Sequence, residues 1–255
     1  MNMETNKNFK NRVVLITGAA TGIGRATALA FAKQGANLVI GDIDDRAQET
    51  VELVKAEGVE VLFKKTDVTD AESVQALVDF TVEKFDRLDH AFNNAGILPK
   101  TKEFTAMTDE DFDLTIGVDL KGVFYSMRSE LKYFEKVGRG TIVNTASVAG
   151  LVADPGMAPY VAAKHGVVGL TKAAGIEYIG KGIRVNAIAP GLVETPMTKG
   201  WLDDPKMKEV VLLQTPIGRP AKPEEIASMV VFLSSDEASF TAGQVFTIDA
   251  GQTAH

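Results

Sequence analysis

Seven short apolar runs punctuate the chain: VVLIT at 13–17, NLVIGD at 37–42, VEVLFK at 59–64, LDHAFN at 88–93, GTIVNT at 140–145, IRVNAIA at 183–189 and QVFTID at 244–249. Most are rich in Val, Ile and Leu rather than alternating with polar residues, the pattern of strands buried on both faces of a sheet. The stretches between them keep a helical period instead; in DDRAQETVELVKAEG, Ala47, Val51 and Val54 recur on one face. Helix starts are marked by Asp44 after the second run, by Thr108 three residues before Asp111, and by Pro223 before Glu224 and Glu225. Strand and helix alternating in this way predict a doubly wound α/β fold, a seven-stranded parallel sheet with helices on both faces. No linker, low-complexity segment or internal repeat interrupts it, so one domain is expected over residues 1–255. The longest stretch without a strand signal, Pro190 to about Pro223, carries Trp201 and the apolar patch Val210 to Leu213. In a compact domain such a segment, 190–222, reads as a substrate lid.

Composition narrows the partners. The 255 residues carry 27 Lys plus Arg against 34 Asp plus Glu, a formal charge of -7 with no long block of either sign. Neither nucleic acid nor an anionic membrane is expected to bind. The absence of cysteine excludes disulfides, thiolate catalysis and Cys-ligated zinc. The start, MNMETNKNFKNR, is polar, and no long apolar run precedes VVLIT. No signal peptide or membrane span is expected, and the default location is the cytoplasm.

The first run leads straight into GAATGIG and a helical pattern, placing Gly18, Gly22 and Gly24 where the chain turns sharply. A helix N-terminus behind such a turn offers free N–H groups and a positive dipole to a pyrophosphate. The spacing is G-x-x-x-G-x-G rather than the commoner G-x-G-x-x-G, and three glycines also suit a purely structural turn. Asp42 separates the two readings. It ends the second run 18 residues after Gly24, near the interval at which an acid accepts hydrogen bonds from an adenosine ribose. A carboxylate there repels a 2′-phosphate, and Thr21 and Ile43 beside it are neutral, which favours NAD over NADP. Arg25 and Arg46 are the residues through which NADP remains the alternative.

The succession TGAATGIG at 17–24, Asp67 in TDVTD, NNAG at 93–96, Ser147 in NTASVAG, YVAAK at 160–164 and RVNAIAPGLVETPM at 184–197 spans essentially the whole chain. In order and spacing it resembles the short-chain dehydrogenase/reductase family. The resemblance implies a Rossmann-like domain with Ser147, Tyr160 and Lys164 as its catalytic centre. It further implies cofactor contacts from Gly18, Thr21, Gly22, Ile23 and Gly24, with Asp67 and Val68 at the adenine. Asn93 to Gly96, with Asn93, Ala95 and Gly96 foremost, would line the cofactor, and Pro190, Gly191, Val193 and Thr195 would cover the nicotinamide. A homotetramer joined through the regions 111–137 and 159–180 is also implied.

The chemistry of these residue types agrees. Tyr160 and Lys164 stand four apart and share a helix face. Hydride exchange between a secondary alcohol and nicotinamide needs an acid/base on the oxygen, and a free phenol near pKa 10 is too weak a base at neutral pH. A positive charge about 4 Å away contributes roughly 4 kcal/mol at an effective dielectric near 20, about 3 pKa units, and less than one unit in water. Lys164 therefore matters only in a sheltered site, where it also holds the ribose hydroxyls and oxidised nicotinamide adds its own charge. Ser147 would hydrogen-bond the substrate oxygen. Taken singly, each has a plainer role: Tyr160 in the core, Lys164 in solvent, Ser147 in a turn. His90 at a strand start, His165 turned away from Lys164 and His255 at the end of the sequence support no Ser-His-Asp triad, and no metal-ligand spacing occurs.

Two departures stand out. Where the family usually has an asparagine that holds a water linking the lysine to solvent, TIGVDLKGVF places Asp119. An aspartate accepts from such a water but cannot donate, and its charge stabilises ammonium at Lys164 while partly cancelling the effect on Tyr160. Asp119 is read as keeping the relay position, with a shifted pH optimum. The family's terminal pair of glycines is also altered: IDAG has Ala250 at the first. The leading function is an NAD-dependent oxidoreductase of a secondary alcohol or its ketone, with Met197, Trp201, Leu202, Met207 and Leu213 implying a largely apolar or cyclic substrate. The alternatives are an NADPH-dependent carbonyl reductase, a dihydrodiol or sugar dehydrogenase with a polar pocket, and a non-catalytic cofactor-binding regulatory protein.

Overall fold

The seven apolar runs form seven strands of one sheet. In a computed structural model that describes residues 8–254, these are β1 (Val13–Thr17), β2 (Asn37–Asp42), β3 (Val61–Lys65), β4 (His90–Asn93), β5 (Gly140–Thr145), β6 (Ile183–Pro190) and β7 (Val245–Ile248). Residues 1–7, most of the polar start from which the absence of a signal peptide is read, and His255 lie outside the described residues. All strand pairs are parallel, in the order β3-β2-β1-β4-β5-β6-β7. The order reverses between β1 and β4, which opens a crevice beyond their carboxyl ends, where doubly wound sheets bind ligands.

The helices are α1 (Gly22–Lys33), α2 (Ala47–Lys55), α3 (Ala71–Phe85), α4 (Asp109–Ile116), α5 (Gly122–Val137), α6 (Ala158–Tyr178), α7 (Lys199–Asp203), α8 (Pro205–Leu213) and α9 (Pro223–Ser234). Period-2 alternation along each strand sends successive side chains to opposite faces. Val14 and Ile16 accordingly pack with Phe31 and Val230 under α1 and α9, while Leu15 packs with Leu77, Val123 and Val167 under α3, α5 and α6. Both faces are covered, which explains why the strands read as apolar throughout.

Several boundaries differ from the expectation. Thr108 and Asp111 do form a reciprocal cap on α4. Asp44 instead caps a turn, its carboxylate accepting from Arg46 N at 2.8 Å, and α2 starts at Ala47. The third strand begins two residues later than the apolar run and extends to Lys65. The segment 190–222 is not strandless loop alone: it folds α7 and α8, and Val193 bridges to Ala221. Among the described residues, no helix is long and apolar enough to cross a membrane.

Candidate active site

A cleft of about 630 Å³ opens at the switch point. At one end the chain leaves β1 through Gly18, whose φ of +69° and close approach to the Ala95 backbone, 2.6 Å from any added Cβ, admit only glycine. Thr17 Oγ1 accepts from Asn94 N at 3.1 Å, and Asn94 Nδ2 donates to Gly18 O at 2.8 Å, tying the loop after β4 to the loop after β1. The first turn of α1 carries no acidic residue and no side-chain cap, so its N–H groups are open to an anion. Asp42 accepts from Ala20 N at 2.8 Å and from Asp44 N at 2.9 Å. Each of its oxygens keeps a lone pair for a ribose hydroxyl. These residues fit a dinucleotide: a glycine cradle a Cβ would fill, open helix donors, and a carboxylate at ribose distance along the chain.

The other end holds the reactive side chains. Tyr160 and Lys164 lie one turn apart on α6, both buried. Lys164 Nζ donates to Thr145 O at 3.0 Å, at the end of β5, and pairs with Asp119 Oδ1 at 3.3 Å. Asp119 stands in a wide π-type turn, Gly117–Lys121, that joins α4 to α5, an irregularity that recurs where a helix must aim a functional side chain. Its Oδ1 also accepts from Ile97 N at 3.1 Å, whereas Oδ2 is buried with no partner. Gly96 is so close that an added Cβ would meet Asp119 Oδ1 at 2.5 Å. Ser147 Oγ accepts from Ala149 N at 3.1 Å, which leaves its proton free to be donated into the cleft.

The electrostatics sharpen the expectation for Tyr160. Burial pushes its pKa above the ordinary phenol value; Lys164 pulls it down, Asp119 pushes it up, and Ser147 pulls it down again. The pull of the lysine is present, as the spacing predicts, yet burial outweighs it and Tyr160 stands as the phenol. Burial also acts to strip Lys164 of its proton, but the Asp119 carboxylate prevails and holds it above its ordinary value as an ammonium. Burial raises Asp119, against the opposing charge of Lys164.

Of the residues expected to act together, Ser147, Tyr160, Lys164 and Asp119 line this one cleft with Gly18, Thr21, Gly22, Ile23, Asp42, Ile43, Asp67, Val68, Ala95, Gly96, Pro190, Gly191, Val193 and Thr195. Two do not. Gly24 packs inside the turn, where a Cβ would overlap Gly18 O at 2.2 Å. Asn93 points into the interior, donating to Glu130 Oε2 and Asn144 Oδ1 at 3.0 Å each; Asn94, the first residue past β4, lines the cleft. Arg25 is spent on Thr50 and Glu49, while Arg46 lines the cleft and pairs with Asp44. Of the segment 190–222 expected to form a lid, Met197, Trp201 and Val211 reach the cleft; Leu202, Met207 and Leu213 do not line it. Leu98, Asp154, Met157, Gln214 and Gln252 also line the cleft, and no local motif announces them. His90 is a core residue, pushed down to about 3 by burial and 2.7 Å from Thr141 Oγ1. His165 bonds back to Val161 O. Among the described residues no group of acids and histidines is placed to hold a metal.

A parallel switch-point sheet with this cleft defines a dinucleotide-binding α/β protein. A family model described as enoyl-(acyl carrier protein) reductase matches residues 18–253. Cyclohexanol dehydrogenase from Acinetobacter sp. (strain SE19) is 44% identical over 246 residues, covering 96% of both chains. Levodione reductase from Leifsonia aquatica is 42% identical over 255 residues, covering 96% of each, and a crystal structure of levodione reductase superposes with a TM-score of 0.93 at 41% identity, covering 96% of this chain and 99% of that one. A solved Agrobacterium tumefaciens structure with bound NADP, whose name proposes a 2-deoxy-d-gluconate 3-dehydrogenase, is 33% identical with a TM-score of 0.90 and covers 99% of this chain and 100% of that one. The chain belongs to the short-chain dehydrogenase/reductase family, a family of oxidoreductases that use nicotinamide cofactors.

Proposed function

We propose that this protein interconverts a secondary alcohol and its ketone with NAD(H), on cyclic, largely apolar substrates. The observation that carries the reading is the convergence of Ser147, Tyr160 and the buried Lys164 on one cleft with Asp42 and the open N-terminus of α1. When bound, nicotinamide supplies or accepts the hydride, and its oxidised form adds a positive charge beside Tyr160. Gly18, Gly22 and the first turn of α1 hold the pyrophosphate, Asp42 and Lys164 take ribose hydroxyls, and Asp67 and Val68 meet the adenine. Ser147 donates to the substrate oxygen. In reduction Tyr160, held as the phenol, gives its proton to that oxygen as negative charge develops; in oxidation its phenolate removes the alcohol proton. Lys164 favours the phenolate in the second direction, in a site dry enough for its charge to be felt.

Segment 190–222 serves as the lid, with Met197, Trp201 and Val211 against the substrate. The names cyclohexanol dehydrogenase and levodione reductase support a ring-sized alcohol or ketone. Asp42 supports NAD, and Arg25 is engaged elsewhere. Arg46 beside a family relative with bound NADP is the observation favouring NADPH, the second reading. One experiment addresses both: NADH and NADPH binding by calorimetry, then a panel of cyclic, aliphatic, aromatic and sugar alcohols with NAD. NADH is expected to bind at least about tenfold tighter than NADPH, and Tyr160→Phe to lower kcat by about 10²–10⁴-fold, the range of a lost acid/base group. Preference for NADPH overturns the cofactor assignment; intact turnover in Tyr160→Phe overturns the mechanism.

A further inference from the structure

The altered terminal glycine pair, at Ala250, has a structural consequence inside the cleft. After β7 the chain reverses within four residues around Asp249. Its Oδ1 accepts from Gly251 N at 3.0 Å, and its Oδ2 accepts from Thr253 N at 2.8 Å and Thr253 Oγ1 at 2.7 Å. Gln252 N donates to Asp249 O at 3.1 Å. Ala250 and Gly251 both take positive φ, +52° and +90°. The left-handed region is ordinary for glycine and disfavoured for alanine, so the surrounding hydrogen bonds hold residue 250 in a conformation its side chain opposes. Such conformations persist where a structure over-determines them, and they cluster at functional sites.

The turn delivers Gln252 to the cleft, with its side-chain oxygen so near Gly191 that a Cβ there would lie 2.9 Å from it. That oxygen is buried and has no hydrogen-bond partner among the described residues. A buried acceptor without a donor carries a desolvation penalty that a bound donor relieves. Thr27 Oγ1 is orphaned within α1 away from the cleft lining, the orphaned oxygens of Asn93 and Glu130 belong to an interior cluster, and that of Asp119 to a carboxylate already paired with Lys164. Gln252 differs from all four in combining a neutral group, a place in the cleft lining and a side-chain amide engaged in no other bond.

We propose that Gln252 is a ligand-binding residue whose amide oxygen accepts a hydrogen bond from an N–H or O–H donor on the molecule held beside Gly191. The assignment rests on the reading of the cleft as a nicotinamide and alcohol site. Two groups offer that chemistry there, the nicotinamide carboxamide and a substrate hydroxyl remote from the reacting carbon. Two arms on the full-length protein separate them. In the first, calorimetry gives dissociation constants for NADH and for its reduced 3-acetylpyridine analogue, in which a methyl group replaces the amide nitrogen. A bond to the carboxamide appears as a wild-type preference for NADH of about tenfold, the size of one well-made hydrogen bond, that Gln252→Met abolishes. In the second, KM is measured for the best cyclic alcohol of the panel and for its analogue bearing a second ring hydroxyl. A bond to substrate appears as a rise of about tenfold for the diol alone in Gln252→Met.

Gln252→Glu keeps an acceptor and retains whichever preference the wild type shows. Should Gln252→Met lose its fold, Gln252→Asn, which withdraws the amide by one methylene, carries the same two readouts. A variant with wild-type thermal stability that moves neither preference by more than twofold overturns the proposal. In that case the proposed function stands, provided the wild type binds NADH and oxidises alcohols. A wild type that binds no nicotinamide overturns that function and this assignment together.

Discussion

Asp119 shows how much one atom's replacement changes at the scale of a residue. An asparagine would leave the Lys164 charge uncompensated; the carboxylate sets a counter-charge 3.3 Å from Nζ and raises Tyr160. Asp119→Asn removes that counter-charge at nearly constant shape. The acid limb of the pH profile of kcat/KM for alcohol oxidation is expected to move to lower pH, by about one unit for a charge just beyond the lysine at an effective dielectric near 20. An unchanged profile would sink both this account and the relay position read for the residue. That Tyr160 and Lys164 share one helix face was legible in sequence because their spacing decides it, whereas Ser147 stood out only through the family resemblance of its motif. That burial outweighs the lysine at Tyr160 was not legible, since it depends on what every other element excludes from the site.

At the scale of elements, α5 carries a carboxyl into the sheet side that the motifs do not mark. Glu130 is fully buried, its Oε2 accepting from Asn93 while its Oε1 and Asn93 Oδ1 have no partner. Burial pushes Glu130 up to about 8 from an ordinary 4.5. The folded protein therefore keeps a proton that the unfolded chain has released between those values. The stability Glu130 contributes is fully present below the unfolded value, falls as pH rises through the window, and levels off above about 8. Glu130→Gln keeps the shape and removes the titration. Its unfolding free energy relative to wild type, from urea titrations, is expected to rise from pH 5 to pH 8, with a slope approaching 1.4 kcal/mol per pH unit at most; the same difference at both values would contradict this. The same cluster accounts for the inward course of Asn93, against the expectation from NNAG: its first asparagine ends β4 facing the interior, while the second, just past the strand, lines the cleft as expected.

For the whole molecule, we propose the tetramer that the family resemblance implies, and apolar side chains left open on the helices of regions 111–137 and 159–180 support it. Phe112, Leu114, Phe124 and Ile176 are exposed, and Arg128 stacks over Phe124 and Tyr125 at 5.3 Å from each ring centre. Light scattering is expected to give about four times the 27.3 kDa of one chain. Phe124→Glu is expected to lower that mass without unfolding the chain, because a charge on a surface of this kind opposes burial. A wild type that runs as a monomer removes the proposal.

Local physics set much of this protein in advance. Short runs apolar throughout and helices with period 3.6 determined seven parallel strands and their covering, since a strand buried on both faces has few alternatives. Gly18 was readable as a turn glycine because a strand runs straight into a helix there, Asp42 stood out by its interval from Gly24, and Ser147, Tyr160 and Lys164 were proposed together from motifs that resemble the family's. What only the tertiary structure decided lies where distant segments meet. The ion pair of Asp119 with Lys164 joins residues on different helices; Asn94 rather than Asn93 reaches the glycine loop; and Gln252 arrives at Gly191 only because β6 and β7 pair side by side. Contacts of that kind depend on the order of strands in the sheet and on burial by the whole fold, which no window of sequence contains.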